Sequence, residues 1–195
     1  MALIRELPVK HDFRESLSKS ERDARDPLWG IVYAQYFVDF MSMEYVTDKA
    51  QQRRGIDRII TLKNNVKVTV DKKLREPQYW GDVFVETVSV DTTGAPGWAL
   101  KSLDCDYMAY AFRASKVCYI WPFHAVRRAW EANAERWTRQ YPNKGAANVG
   151  YKTRGVIVPL GPWLQAIQNA EWVSWESNDQ LPFDPPLAQR KMGGY

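Results

Sequence analysis

The strictest constraint on this chain lies in the run "VKVTVDKK", residues 66–73, where valines alternate with polar residues as far as Asp71. Val66, Val68 and Val70 fall on one side, and Lys67, Thr69, Asp71 and Lys73 on the other. A period of two is that of a strand, not a helix. The preceding run "IDRIITLK" is separated from it by Asn64-Asn65. Asparagine tolerates positive φ, so the pair predicts a hairpin closed by a two-residue turn. That turn pairs Lys63 with Val66 and sets Asp57 opposite Lys72. Asp57 and Asp71 then point to opposite faces, and a bulge or bend is needed to bring them together. Asp71 and Lys73 share a face at what reads as the exposed end of the strand.

Around this hairpin the pattern alternates between helix and strand. "DPLWGIVYAQYFVDFMSMEYV" opens with Asp26 as a cap and Pro27 at the first helical position, and predicts one amphipathic helix. Its stripe is Leu28, Val32, Tyr36 and Phe40, widened by Ile31 and Phe37. "GDVFVETVSV" reads as a third strand. "DYMAYAFRAS" and "KVCYIWPF" read as a central hairpin. "HAVRRAWEANAERWTRQY" is a helix with Val126, Trp130, Ala134, Trp137 and Tyr141 buried. "PNKGAANVGYKT" reads as a connection, "RGVIVPL" as a short strand and "GPWLQAIQNA" as a last helix begun near Pro162. This order predicts one α/β (α+β) domain over residues 1–195, with a central mixed β-sheet flanked by helices. Residues 1–26 form a polar arm, and 176–195 a loose tail with three prolines and two glycines.

The 195 residues suit a single domain with a real core. Nine Trp and ten Tyr fill that core or stack on bases, and core filling is the commoner use. Cys105 and Cys118 lack metal-site spacing, and only His11 and His124 accompany them, so a zinc site is not expected. No apolar run reaches the length of a membrane span, and charges occupy the N-terminal stretch where a signal peptide is apolar. Both point to the cytoplasm. Net charge is only +4, but residues 124–154 carry seven basic residues against Glu131 and Glu135. Such a band suits a phosphate backbone, or a solvated helix face.

Asp57, Asp71 and Lys73 match the needs of phosphodiester hydrolysis. Mg²⁺ (or Mn²⁺) takes oxygen ligands, commonly one or two carboxylates completed by water. A lysine beside them can contact the water or the phosphate. "GID" followed by "VTVDKK" resembles the signature of the PD-(D/E)XK nuclease superfamily, with Asp57 as the first Asp, Asp71 as the acidic position and Lys73 as the lysine. Ile56 stands where the superfamily usually has proline. The longer run through "GDVFVETVSV", "GAPGWALK" and "CYIWPF" is similar to nuclease-like proteins common in phages and prophages. The resemblance implies a restriction-endonuclease-like core, a Mg²⁺-dependent DNA nuclease, and selectivity for branched DNA such as that of Holliday-junction resolvases. Such enzymes are often homodimers.

The resemblance also implies an acid from the N-terminal helix, for which Asp39 and Glu44 are the candidates; Glu86 reads either as a further metal ligand from strand three or as an edge or strand-end charge. Lys101, beside Trp98, and Arg127, Arg128, Arg136 and Arg139 are candidate DNA contacts. Glu131 and Glu135 can absorb part of the arginine charge along the helix. Asp104 and Asp106 read as residues leading into a strand. Two other readings stand beside the nuclease: a non-catalytic DNA- or protein-binding module on the same fold, such as a phage inhibitor of a host system, and a structural protein whose aromatics form an interface.

Overall fold

A computed structural model describes residues 22–23, 25–76, 81–148, 150–168, 171–174 and 189–190. Its frame is a sheet whose middle strands are apolar on both faces. These are β6 (Tyr107–Phe112) and β7 (Val117–Pro122), which pair antiparallel as the expected hairpin. Their side chains sort by size. Met108, Tyr110, Phe112, Tyr119 and Trp121 enter one core, while Ala109, Ala111, Cys118 and Ile120 enter the other. Burial on both faces explains why these strands read as nearly continuous apolar runs.

On one side of this hairpin stand β1 (Phe40–Tyr45), β2 (Arg58–Leu62) and β3 (Lys67–Arg75); on the other stand β10 (Glu171–Ser174) and β11 (Gln189–Arg190). The order across the described strands is β1-β2-β3-β6-β7-β10-β11. β3 pairs parallel with β6, β10 pairs parallel with β11, and the other neighbours are antiparallel. A second, antiparallel sheet has the order β5-β4-β9-β8, built from β4 (Asp82–Val90), β5 (Ala95–Pro96), β8 (Asn143–Asn148) and β9 (Tyr151–Pro159). The fold is therefore mixed α+β, with a central mixed sheet flanked by helices. The third expected strand exists, but in the second sheet. The stretch expected as a connection after residue 141 forms β8 and the start of β9.

Helix α1 (Leu28–Tyr36) covers one face of the central sheet, placing Trp29, Val32 and Tyr33 over Ile60, Val70 and the small side chains of β6. Asp26 accepts the Leu28 N–H at 3.0 Å, so the expected cap forms. The helix is shorter than the sequence pattern predicts. Phe37 adopts φ −91°, ψ 104°, and the chain leaves the helix to become edge strand β1. Ile31, expected in the buried stripe, is 44% exposed. The periodicity misled because Phe40 serves a strand as readily as a fourth helical turn: it packs part-buried on the same core from β1. A short helix α2 (Lys49–Arg53), capped by Asp48, then leads to β2.

The opposite face of the central sheet packs against α3 (Phe123–Gln140), α4 (Leu160–Ile167) and the second sheet. Val126, Trp130 and Trp137 are buried, and Ala134 and Tyr141 are part-buried, as the helical stripe predicts. Trp163 gathers Trp98, Trp121 and Trp137 around it, with ring centroids 5.5–6.3 Å away. The six tryptophans whose side chains are described are all buried, so their use is structural. Of the residue 1–26 arm, Asp23 and Asp26 both bond Arg113. Arg22 and Arg25 are exposed, and residues 1–21 and 24 of the arm, with the tail apart from β11, lie outside the described residues.

The valine face of β3 is buried unevenly. Val70 is fully enclosed, Val68 half-buried, and Val66, expected inside, 53% exposed at the hairpin tip. Val70→Asp places an unpaired charge beneath α1 and is expected to abolish the cooperative thermal transition. A melting curve by circular dichroism checks this, and Val66→Asp serves as the tolerated control.

Candidate active site

The hairpin delivers Asp57 and Asp71 to the same place through a turn one residue longer than expected. Lys63 leaves the ladder: its N–H donates to the Asp39 carbonyl at 2.9 Å, and its ammonium pairs with the Asp39 carboxylate at 3.2 Å. Asn64 and Asn65 complete a three-residue loop at φ 63° and 58°. Observed partners are Ile60 with Val68 and Arg58 with Val70. The register is therefore slipped by one from the expected one, and a one-residue slip exchanges faces. Continued past Arg58, it sets Asp57 against Asp71, so no bulge is required.

Asp57 sits just before β2 and replaces part of the strand ladder with its side chain. Its N–H donates to the Val70 carbonyl at 3.0 Å, and its Oδ2 accepts the Lys72 N–H at 3.2 Å. Gly55, at φ +78°, makes the reversal between α2 and β2 possible. A Cβ there would lie 3.0 Å from the Leu103 side chain, so both backbone and space call for glycine.

Asp71 is not at an exposed strand end. It is 3% exposed, because β3 continues to Arg75 and β6 runs beside it. Its Oδ1 accepts from Lys73 Nζ at 2.8 Å. Its Oδ2 is buried with no protein donor. The Asp57 carboxyl is close enough to raise that of Asp71, and two carboxylates cannot satisfy one another without a proton or a cation between them. Burial, with the Asp57 charge adding to it and Lys73 opposing it, raises the Asp71 carboxyl to about 6. For Lys73, burial alone would lower the ammonium. Asp71, Asp57 and Glu86 outweigh that and hold it above its ordinary value, so it is protonated at neutral pH.

Glu86 stands half-buried on β4 and adds to the field on Lys73. The "GAPGWALK" loop lies against it: Ala99 N–H donates to the Glu86 carbonyl at 3.1 Å, and a Cβ on Gly97 would meet that carbonyl at 2.3 Å. Trp98 is buried on Trp163, and Lys101 is half-buried one turn beyond Gly97. Among the described residues, no three His, Cys, Asp or Glu side chains gather as a set able to hold a metal ion.

The other sequence candidates fall elsewhere. Asp39 and Glu44 are not on the N-terminal helix. Asp39 is at the far end of the hairpin with Lys63, and Glu44 is exposed on edge strand β1 opposite Ile59. Arg127 pairs with Glu131 at 3.5 Å and Arg139 with Glu135 at 3.2 Å, so both arginines spend charge along α3. Arg136 donates to Asn133, while Arg128 is exposed. Asp106 bonds the N–H and hydroxyl of Thr69, and Asp104 pairs with Arg54, which fits their reading as residues leading into β6. Two features had no signal in the motif: Lys72, whose backbone holds Asp57 and whose ammonium lies 5.6 Å from the Trp29 ring centre, and the Arg75–Asp82 pair joining β3 to β4. The two cysteines are free and buried, and burial pushes the Cys105 thiol up to about 12. Among the described residues, no helix is long and apolar enough to cross a membrane.

Compared with protein-family models, with curated proteins and with solved structures, the chain matches none.

Burial of Asp71 sets an expected pH dependence. A carboxyl whose folded pKa lies near 6, above its unfolded value near 4, contributes stability that is fully present below pH 4 and lost as pH rises through 6. In Asp71→Asn, the amide oxygen can accept from Lys73 and the NH₂ can donate to Asp57. In EDTA, Asp71→Asn is therefore expected to melt at or above the parent's temperature, with an advantage that grows from pH 4.5 to 7.5. Lys73→Ala should do the reverse, costing on the order of 2–3 kcal/mol at pH 8, since removing one partner of a buried pair strands the other. Thermal melts across that pH range check both.

Proposed function

We propose that the chain is a Mg²⁺-dependent nuclease of the PD-(D/E)XK type, acting on DNA through Asp57, Asp71 and Lys73. The observation that carries this reading is the Asp71 Oδ2 atom, which is buried, lacks a donor and lies beside a second carboxylate. A site of this kind fits a small hard cation, for which two carboxylates completed by water and phosphate oxygens are the usual ligands. Bound there, the cation would neutralise phosphate charge and lower the pKa of a coordinated water.

The chain's own residues supply the rest. Asp57 and Asp71 hold negative charge at fixed positions, on a strand pair anchored by α1. Lys73, kept protonated by its three acidic neighbours, is suited to donate hydrogen bonds and to stabilise charge, not to take a proton. It can orient the attacking water or steady the non-bridging oxygens as charge builds on them. In the hydrolysis, water oxygen bonds to phosphorus and its proton passes to solvent, the P–O bond to the leaving sugar oxygen breaks, and that oxygen takes a proton from solvent. Glu86 tunes Lys73 from the neighbouring sheet.

A binding module on the same fold is the second reading, favoured by the lack of a third acidic ligand among the described residues. Cleavage assays on duplex, branched and single-stranded DNA with Mg²⁺ or Mn²⁺ separate the two. The parent is expected to cut at least one form. Asp57→Asn and Asp71→Asn are expected to lower turnover by at least about a thousandfold while keeping DNA affinity, and Lys73→Met by about a hundredfold or more, in line with the loss of electrostatic stabilisation. Absence of cleavage of every form by the folded parent would leave the binding module.

A further inference from the structure

The segment from Gly97 to Cys105 crosses from the second sheet to the central one, and both its ends are fixed beside the candidate site. At the first end, Gly97 N–H donates to the Thr87 carbonyl at 2.9 Å and Ala99 N–H to that of Glu86 at 3.1 Å. Trp98 is buried between them in a T-shaped contact with Trp163. The Leu100 and Lys101 N–H groups both donate to the Gly97 carbonyl at 3.0 Å, which closes a tight turn. At the second end, the Leu103 side chain fills the space over Gly55, just before Ile56 and Asp57. Asp104 N–H donates to the Arg54 carbonyl at 2.8 Å, and Cys105 is buried in the field of Asp71.

Glu86 acts on Lys73 and Asp71 acts on Cys105, so the segment leaves one flank of the site and returns to another. Leu100 follows Ala99 directly, about 3.8 Å along the chain from the residue bonded to Glu86. It is 54% exposed, although Ala99 before it is buried and Lys101 after it is half-buried. The backbone bonds hold it in that position. The other large apolar side chains exposed among the described residues lie elsewhere: Ile31 on α1, and Val38, Met41 and Val66 around the Asp39–Lys63 contact at the far end of the hairpin. Leu100 therefore belongs to no continuous apolar patch of the kind that protein partners use. A single fixed leucine beside a cation suits a different ligand. DNA offers phosphates to Lys101, which forms no ion pair among the described residues, and stacked bases that an apolar side chain can part.

We propose that Leu100 is a wedge that enters the base stack beside the phosphate held at Asp57 and Asp71, while Lys101 takes a neighbouring phosphate. Parting a continuous duplex is costly, and parting one at a fork, flap or mismatch is cheap, so the wedge selects DNA whose stacking is already interrupted. The choice of DNA rests on the nuclease reading. The unstacking itself is a separate claim and is read without cleavage.

The test uses forked duplex DNA with 2-aminopurine at the branch, titrated to saturation in EDTA so that neither cleavage nor affinity affects the signal. The parent is expected to raise the probe's fluorescence, as unstacking does. Leu100→Ala is expected to reduce that rise at least about threefold at unchanged melting temperature, and Leu100→Phe, which keeps an apolar side chain at the tip, to restore it. Lys101→Ala is expected to keep the rise at saturation and to lower the slope of log K against log salt by about 0.9, the share of one phosphate contact. An equal rise with parent and Leu100→Ala would overturn the wedge, as would a parent that binds the fork without any rise or binds no DNA. Cleavage by the same proteins is scored separately. A parent that unstacks the probe through Leu100 but never cuts sinks the nuclease reading alone, and one that cuts with fluorescence indifferent to Leu100 sinks the wedge alone.

Discussion

The structure turns on a carboxylate placed where carboxylates are costly. Asp71 is nearly enclosed, one of its oxygens takes the Lys73 ammonium, and the other has no protein donor while Asp57 lies beside it. An isolated ionised carboxyl in such a place would neutralise itself, and the rise toward 6 measures how far this one is driven. Lys73 prevents the drive from finishing. The pair is therefore poised: charged at neutral pH, unsatisfied at one oxygen, and stabilised by whatever positive charge enters next.

The rest of the fold can be understood as the means of holding that poise. β3 is central enough that α1 seals its valine face and β6 runs along its other edge, which fixes Asp71 and Lys73 against rotation. The aromatic core around Trp163 braces α3 and α4 against the face opposite α1. β4 hangs beside Lys73 through the Arg75–Asp82 pair and the hydroxyl of Tyr110, which accepts the Phe84 N–H at 2.9 Å. It brings Glu86 into the field of Lys73.

Much of this was legible in the sequence where the signal is periodic and local. The two-residue alternation of 66–73 placed Asp71 and Lys73 on one face, the 3.6-residue stripe of α3 placed its tryptophans inside, and Asp26-Pro27 marked the start of α1. The failures have physical causes. Phe40 fits either a helical stripe or a half-buried strand, so the pattern carries α1 on into β1. The hairpin register depends on Lys63 preferring Asp39, which stands just before β1 in a stretch whose pattern reads as helix. The burial of Asp71 could not be read from β3 alone, because it comes from β6, which lies more than thirty residues later in the chain. The glycine- and asparagine-rich segment after Tyr141 carries almost no apolar pattern, yet pairs as β8 because β9 offers it an edge.

The central claim is that the space between Asp57 and Asp71 is a cation site. Crystals of the protein soaked in Mn²⁺ and measured at its absorption edge test that claim directly. The expected result is an anomalous peak within coordination distance of Asp71 Oδ2 and the Asp57 carboxylate, absent from Asp71→Asn crystals soaked alike. Diffraction from well-ordered soaked crystals with both carboxylates in place and no peak between them would contradict it, and would leave Asp71 as a buried acid held by Lys73 alone.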